Sequence, residues 1–122
     1  MRILGFSKMW KKLSQPEFTT FRYPRGDKDW QIGEQVQIVY KPRSKERKTL
    51  GIAKIISKEK REFDLSFTDG NIAVPFLTET EAIADGFANH RAMVDYMEKQ
   101  YGLDYVSLFN KLTLIWVKEL RR

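Results

Sequence analysis

The chain has 122 residues, no cysteine and a formal net charge of +6 at pH 7. This length suits one domain with a single core, and the lack of cysteine excludes disulfides, thiolate zinc sites and a cysteine nucleophile. Hydrophobic residues make up 42% of the chain, which is too apolar for a disordered protein. No apolar segment approaches the roughly 20 residues of a membrane helix, and no secretory signal is recognisable. We therefore expect residues 1–122 to form one folded cytoplasmic domain without membrane contact.

The positive charge is concentrated in the N-terminal half. Residues 1–61 carry 16 Lys and Arg against 6 Asp and Glu, whereas residues 62–122 carry 6 against 10. Such charge polarity within one domain is typical of proteins that bind nucleic acids. A solubilising basic face is the alternative interpretation.

The N-terminal part of the chain is predicted to be rich in strands. A short strand is predicted at residues 3–6, and residues 7–14 form an irregular or single helical turn that ends before Pro16. Residues 18–22 are β-branched and aromatic and predict a second strand, followed by a loop with strong turn signals. Residues 35–41 alternate between two faces and predict a third strand.

The middle of the chain is predicted to form two hairpins. Residues 42–48 are highly charged and form the basic tip of the first hairpin, whose return strand is residues 50–57. Residues 63–67 alternate again and lead to an Asp-Gly pair, which is a strong hairpin turn signal. Residues 72–76 are the expected partner strand.

The C-terminal part is predicted to contain two helices and a last strand. Thr78 and Glu81 match a capping box, so a short helix is expected at residues 81–87. Asn89 can cap a second helix. Residues 112–117 are apolar on both faces and predict a central strand. Five or six strands with two late helices favour an α+β fold, in which a small curled sheet or barrel is closed by the last strand.

Several kinds of catalytic site lack support in the sequence. The single histidine, His90, has no other metal-ligating side chain at suitable spacing, so no metal is expected. The glycines are scattered singly, so a phosphate-binding loop of the P-loop type is not expected. We predict no cofactor. Asp85 is less easily explained, because it lies near the end of a predicted helix, where the helix dipole opposes a negative charge.

Basic and aromatic residues are interleaved between residues 8 and 43 of the chain. Single-stranded nucleic acids are bound by this combination, because cations neutralise phosphates and rings stack on bases. The alternative is that the rings belong to the core and the lysines are merely solvated. The residues of this pattern are Lys8, Trp10, Lys11, Lys12, Phe21, Arg22, Tyr23, Arg25, Trp30, Lys41 and Arg43.

Four segments of the chain form a recognisable series of short motifs: residues 13–22, residues 30–40, residues 81–87, where an acidic residue precedes Gly-Phe, and the closing strand 111–117. Together they resemble the ASCH family of the PUA-like superfamily. The resemblance covers nearly the whole chain and depends on the order and spacing of short motifs. It implies a small β-barrel flanked by helices, with a cleft that accommodates RNA or a modified nucleobase. Members of the family include RNA binders, a ribonuclease and an amidohydrolase acting on N4-acetylcytidine.

The family's signature strand has the pattern G-x-K-x-x-T-x-R. Aligned with this pattern, Thr20 and Arg22 occupy the threonine and arginine positions. Gln15 and Glu17 stand where the glycine and the catalytic lysine are expected. Because a carboxylate cannot replace a buried amine, the resemblance favours binding over amide hydrolysis.

The resemblance also places Asp85 at the position of the family's catalytic glutamate. We expect Thr20, Arg22 and Asp85 to converge in the cleft, and either Lys11 or Lys12 could reach it in place of the missing lysine. Glu17 is expected either to turn away or to pair with Arg22.

We therefore expect a monomeric RNA-binding module whose partner is single-stranded or structured RNA. The alternative is a hydrolase that acts on RNA or on a modified nucleoside, with Thr20 and Asp85 as catalytic residues. A third possibility is a protein-interaction domain that uses the basic segment 41–48. The predicted RNA-binding residues are Lys8, Trp10, Lys11, Lys12, Thr20, Arg22, Tyr23, Arg25, Lys41 and Arg43.

Overall fold

A computed structural model of the chain describes residues 1–62, 77–101 and 108–120. Within these ranges the chain is an α+β fold, as predicted, with a five-stranded mixed sheet and two short helices. A 3-10 helix at Lys11–Ser14 precedes the second strand. The strands are β1 (Arg2–Phe6), β2 (Glu17–Arg22), β3 (Gln35–Tyr40), β4 (Lys48–Glu62) and β5 (Leu108–Glu119), and the helices are α1 (Glu79–Ala84) and α2 (His90–Tyr101).

The sheet has the strand order β1-β3-β4-β5-β2 and curls strongly into a half-barrel. β1 pairs with β3 in parallel, and the other neighbouring strands are antiparallel. β4 shifts register twice against β5, and such bulges bend a strand and increase its twist. The two edge strands approach each other inside the curl, where the rings of Phe6 and Phe18 lie 6.3 Å apart.

The main core fills the inside of the curled sheet. It is formed by alternating side chains of the five strands together with residues of the 3-10 helix and of the loop after β2. Its buried members are Leu4, Phe6, Leu13, Phe18, Trp30, Val36, Ile38, Leu50, Ala53, Ile55, Leu112 and Leu114.

A second, smaller core lies between the sheet and the two helices. It contains Phe21, Leu77, Ala82, Met93, Met97 and Phe109. Phe21 and Phe109 come from paired strands, β2 and β5, and the methionines lie one turn apart on α2, which places them on one face.

Glu81 links α1 to the sheet. The Thr78 side chain accepts a hydrogen bond from the Glu81 amide, and the Glu81 carboxylate accepts one from the Thr78 amide, which completes the predicted capping box. The same carboxylate accepts from Nε of Arg61 on β4 at 2.9 Å and from Nζ of Lys111 on β5 at 2.6 Å. One side chain therefore both caps α1 and anchors it to two strands.

Most predicted elements in the described ranges are confirmed, with shifted ends. β4 extends beyond the expected 50–57 because it stays paired with β5 along most of its length. α1 ends at Ala84, before the expected residue 87, and Asp85 is its C-cap. β5 lies between β4 and β2, as its two apolar faces predicted. The predicted hairpin at 63–76 lies outside the described residues, and no helix among those described is long and apolar enough to cross a membrane.

Candidate nucleic-acid site

A cavity of about 550 Å³ opens between the two edge strands and the helices, and we call it the central cavity. Its walls come from the ends of β1 and β2, the segment around the 3-10 helix, the β3–β4 turn and α2. The lining residues are Gly5, Phe6, Ser7, Trp10, Lys12, Thr20, Phe21, Arg22, Lys41, Pro42, Arg43, Ser44, Asp85, Phe87, Met93, Tyr96 and Met97.

The β3–β4 turn reaches the cavity because it packs closely against β1. The Lys41 amide donates to the Phe6 carbonyl at 2.8 Å, and Lys41 itself has a φ of 45°, in the left-handed region. A Cβ atom at position 5 would lie 2.7 Å from Cγ of Pro42, so only glycine allows this approach. The contact brings the cations of Lys41 and Arg43 into the cavity wall.

A buried ion pair forms the floor of the site. Nζ of Lys12 lies 2.8 Å from Oδ1 of Asp85, and each side chain is 6% exposed. Thr19 donates its hydroxyl hydrogen to the same carboxylate oxygen at 3.0 Å. The pair explains why an acid stands at the end of α1, because the lysine and the threonine compensate for the unfavourable helix dipole.

Burial has opposite effects on the pKa values of the two partners. Desolvation lowers the pKa of Lys12, against the attraction of the Asp85 carboxylate. Desolvation also raises the pKa of Asp85, although Lys12 and Thr19 oppose the increase. Both shifts favour the neutral forms, so the proton that joins the two groups is held less firmly by the amine than in water.

Arg22 is oriented by its own strand and by β1. Its Nε donates to the hydroxyl of the buried Thr20 at 3.0 Å, and its guanidinium carbon lies 4.7 Å from the centre of the Phe6 ring. Thr20 and Arg22 share one face of β2, as strand alternation predicted, whereas Thr19 reaches Asp85 from the other face.

An aromatic cluster forms a further wall of the cavity. The Trp10 ring lies 5.0 Å from Phe87 and 5.9 Å from Tyr96. A Cβ atom on Gly86 would lie 2.9 Å from Cε3 of Trp10, and Gly86 has a φ of +113°. Glycine is therefore required both by the backbone conformation and by the close approach of the indole.

A second cavity of about 780 Å³ lies beside the first, and we call it the outer cavity. It shares Trp10, Lys12 and Phe87 with the central cavity. Its remaining lining residues are Lys8, Met9, Lys11, Gln15, Glu17, Phe18, Thr19, Ile83, Ala84 and Gly86.

The structure divides the predicted binding and catalytic residues into three groups. The central cavity is lined by Trp10, Lys12, Thr20, Arg22, Lys41, Arg43 and Asp85. The outer cavity is also lined by Lys8 and Lys11. Tyr23 and Arg25 line neither cavity.

The loop after β2 explains why Tyr23 and Arg25 lie outside the two cavities. The Tyr23 ring packs 4.2 Å from Phe109 in the second core, and Arg25 pairs with Asp27 at 3.3 Å. Asp29 anchors the loop by accepting from Lys58 and from the amides of Arg25 and Trp30. Although burial alone would raise the pKa of Asp29, these contacts hold it well below its ordinary value.

The sequence prediction missed three residues of the site. Thr19, rather than Thr20, contacts Asp85, and Phe87 and Tyr96 contribute rings to the wall. Thr19 and Thr20 are adjacent residues of the same type, and only the position of α1 determines which of them contacts Asp85. Phe87 follows the Gly-Phe pattern of the family resemblance and could have been identified from it.

Of the two lysines that could have reached the cleft, Lys11 and Lys12, Lys12 is the one that contacts Asp85. It comes from the 3-10 helix, five positions before Glu17, and reaches Asp85 from there. Glu17 is exposed and lines the outer cavity, on the opposite face of β2 from Arg22. Among the described residues Glu17 forms no ion pair, so the expected alternative in which it turns away is the one observed.

The ligand chemistry of the site is cationic and aromatic. In residues 1–62, 77–101 and 108–120, no three His, Asp or Glu side chains are grouped as a metal site requires. Comparison of the chain with protein-family models, with curated proteins and with solved structures gives no match.

Proposed function

We propose that this chain is an RNA-binding module whose central cavity receives a nucleobase of a single strand. The observation that carries the proposal is the lining of the central cavity, which contains the rings of Trp10 and Phe87 together with the cations of Arg22, Lys41 and Arg43. Its volume of about 550 Å³ falls within the range of roughly 300–1,000 Å³ that is usual for ligand pockets.

The two kinds of side chain suit the two parts of a nucleotide. Aromatic rings stack on any base, because every base has a π face, and cations neutralise the phosphate that follows it. Arg43 is exposed and forms no ion pair among the described residues. It is therefore available to a phosphate at the cavity mouth, whereas Arg22 lies deeper and is already oriented by Thr20.

The resemblance to the ASCH family supports the same assignment, because it implies an RNA-binding cleft between a barrel and its helices. Thr20 and Arg22, which match the signature strand, both line the central cavity. The opposite charges of the two halves of the chain are consistent with a polyanionic partner.

The proposal is tested by fluorescence anisotropy with a labelled single-stranded oligoribonucleotide. Arg43→Ala should weaken binding, and Arg25→Ala is the matched control, because Arg25 has the same charge but lines neither cavity. Equal effects of the two substitutions would show that only net charge matters and would contradict a cavity-centred site. The absence of binding at low salt would overturn the proposal.

A second candidate function is hydrolysis of a modified nucleoside, and it rests on the pair formed by Lys12 and Asp85. A lysine whose pKa is lowered by burial can accept a proton in its neutral form, and Asp85 can return one. For N4-acetylcytidine, Lys12 would take a proton from water as the water oxygen bonds to the acetyl carbonyl carbon. The bond between this carbon and N4 would then break, N4 would take a proton from Asp85, and acetic acid and cytidine would leave. Lys12 would return its proton to Asp85.

The two candidates differ in what happens to the ligand. We expect the protein to bind RNA without converting N4-acetylcytidine, because Glu17 stands where the family resemblance requires lysine. Incubation with the nucleoside, followed by chromatographic separation of cytidine, decides between them. Turnover that disappears in Asp85→Asn would replace the binding proposal with the hydrolase.

A further inference from the structure

The outer cavity adjoins the proposed base site and has the same kind of chemistry. Lys8 and Lys11 are exposed, and neither forms an ion pair among the described residues. Of the residues that line the outer cavity, Glu17 alone is acidic, so the wall has a positive net charge. Trp10 lines both cavities, as do Lys12 and Phe87.

We propose that the site holds two consecutive nucleotides of a single strand, with one base in the central cavity and its neighbour in the outer cavity. Trp10 lies between the two bases, and Lys8 and Lys11 neutralise the phosphate of the outer nucleotide. This inference rests on the proposed RNA-binding function and specifies its ligand as a dinucleotide unit.

Lys8 covers the face of the Trp10 ring on which the second base would stack. The Lys8 ammonium lies 4.4 Å from the centre of the indole, above the ring. Stacking of a base on an aromatic ring is generally more favourable than a cation–π contact at an exposed position. An incoming base can therefore displace the ammonium, which moves to the phosphate without losing a buried partner.

The position of the indole is fixed before any ligand arrives. Gly86 permits its close approach, and Phe87 and Tyr96 support it from the helical side. Lys12, which also lines both cavities, is held by Asp85 and is buried. The residues shared by the two cavities are therefore packed in place without a ligand, and such preorganisation favours a fixed spacing between two bases.

The inference is tested with a length series of 5′-phosphorylated oligouridylates. Dissociation constants for one, two and three nucleotides are measured by isothermal titration calorimetry at low salt. We expect the second nucleotide to increase affinity about tenfold, within the range of one stacked base. The gain should be lost in Lys8→Ala/Lys11→Ala and retained in the control Lys54→Ala, whose exposed side chain on β4 lines neither cavity.

The series separates failure of this inference from failure of the proposed function. Equal affinity for one and two nucleotides, with longer RNA still bound, would overturn the dinucleotide site and leave the base site intact. A gain that survives in Lys8→Ala/Lys11→Ala would also overturn it. If neither the short ligands nor longer RNA bind, both proposals are wrong.

Discussion

Lys12 on the 3-10 helix and Asp85 at the end of α1 form an ion pair of 2.8 Å, although 73 positions separate them in the chain. Both side chains are buried, so each charge has lost most of its hydration. Removing two charges from water costs several kcal/mol for each ion, and their attraction recovers this cost only in part. A pair of this kind suggests a role in the site in addition to any contribution to stability.

The first prediction concerns the energetic coupling between Lys12 and Asp85. Lys12→Met should destabilise the fold by about 3–5 kcal/mol, because it leaves the Asp85 carboxylate buried without a counter-charge. Lys12→Met/Asp85→Leu should cost much less, since no isolated charge remains. Urea unfolding of the wild type, both single variants and the double variant gives the coupling energy. If the two single effects simply add in the double variant, the pair is not coupled and this interpretation is wrong.

The second prediction is the pH dependence of the Lys12→Met variant. Burial raises the pKa of Asp85 above its ordinary value of 3.8, and Lys12 limits the increase, so removal of Lys12 raises this pKa further. A carboxyl group whose pKa is higher in the folded state stabilises the fold at low pH and loses that contribution as the pH rises.

The stability deficit of Lys12→Met relative to the wild type should therefore shrink as the pH falls from 7 towards 5. Urea unfolding at several pH values in this interval measures the deficit. Lys12→Met/Asp85→Leu is the control, because it has no carboxyl group at this position to titrate. If the deficit in the free energy of unfolding stays constant between pH 7 and pH 5, the pKa of Asp85 in Lys12→Met is not raised and the prediction is wrong.

The third prediction concerns Thr78, whose role is structural. Its hydroxyl caps α1 and it lines neither cavity. Thr78→Ala should cost roughly 1 kcal/mol of stability and leave RNA affinity nearly unchanged. Urea unfolding and anisotropy titrations on the same protein separate the two effects. Loss of affinity without loss of stability would place Thr78 in the site.

The fold was predictable from local patterns because those patterns correspond to local physical causes. Alternation in residues 35–40 places apolar side chains on the inside of a sheet, and residues 112–117, which are apolar on both faces, form a strand with a neighbour on each side. The Thr78–Glu81 capping box depends on two residues three positions apart. The sequence did not indicate the length of β4, because this strand extends as far as its partner β5 provides hydrogen bonds.

The site was less predictable, because its contacts join distant parts of the chain. The sequence suggested that Lys11 or Lys12 could reach the cleft, but only the packing of the 3-10 helix buries Lys12 and leaves Lys11 exposed. Tyr23 continued the basic and aromatic pattern, yet the second core places its ring against Phe109. Composition identified the basic half of the molecule, and tertiary packing determines which cations face the cavities.

The fourth prediction is the salt dependence of RNA binding. Each cation that neutralises a phosphate of single-stranded RNA releases counterions, so the affinity should fall steeply with salt, with a log–log slope of about −0.7 per phosphate. Lys11→Ala should make the slope less negative by roughly one such unit, whereas Lys54→Ala, away from both cavities, should not. The slopes are obtained from anisotropy titrations at four or more salt concentrations. An affinity that does not change with salt would exclude phosphate contacts.

The fifth prediction concerns the geometry of Arg22. Thr20 holds Nε of Arg22, and the ring of Phe6 lies beneath the guanidinium, so the planar group has a defined orientation in the central cavity. Arg22→Ala should weaken RNA binding by about 1–3 kcal/mol, which is the range for a charged bidentate contact.

Arg22→Lys distinguishes orientation from charge. Lysine keeps the positive charge but lacks the planar group that can donate two parallel hydrogen bonds, so an affinity between those of the wild type and Arg22→Ala is expected. Arg25→Lys is the matched control, because Arg25 is exposed outside both cavities and its replacement should leave the affinity unchanged. Anisotropy titrations of the wild type and these three variants at one salt concentration provide the comparison. Full affinity in Arg22→Lys would show that charge alone is recognised, and the oriented guanidinium would then have no part in binding.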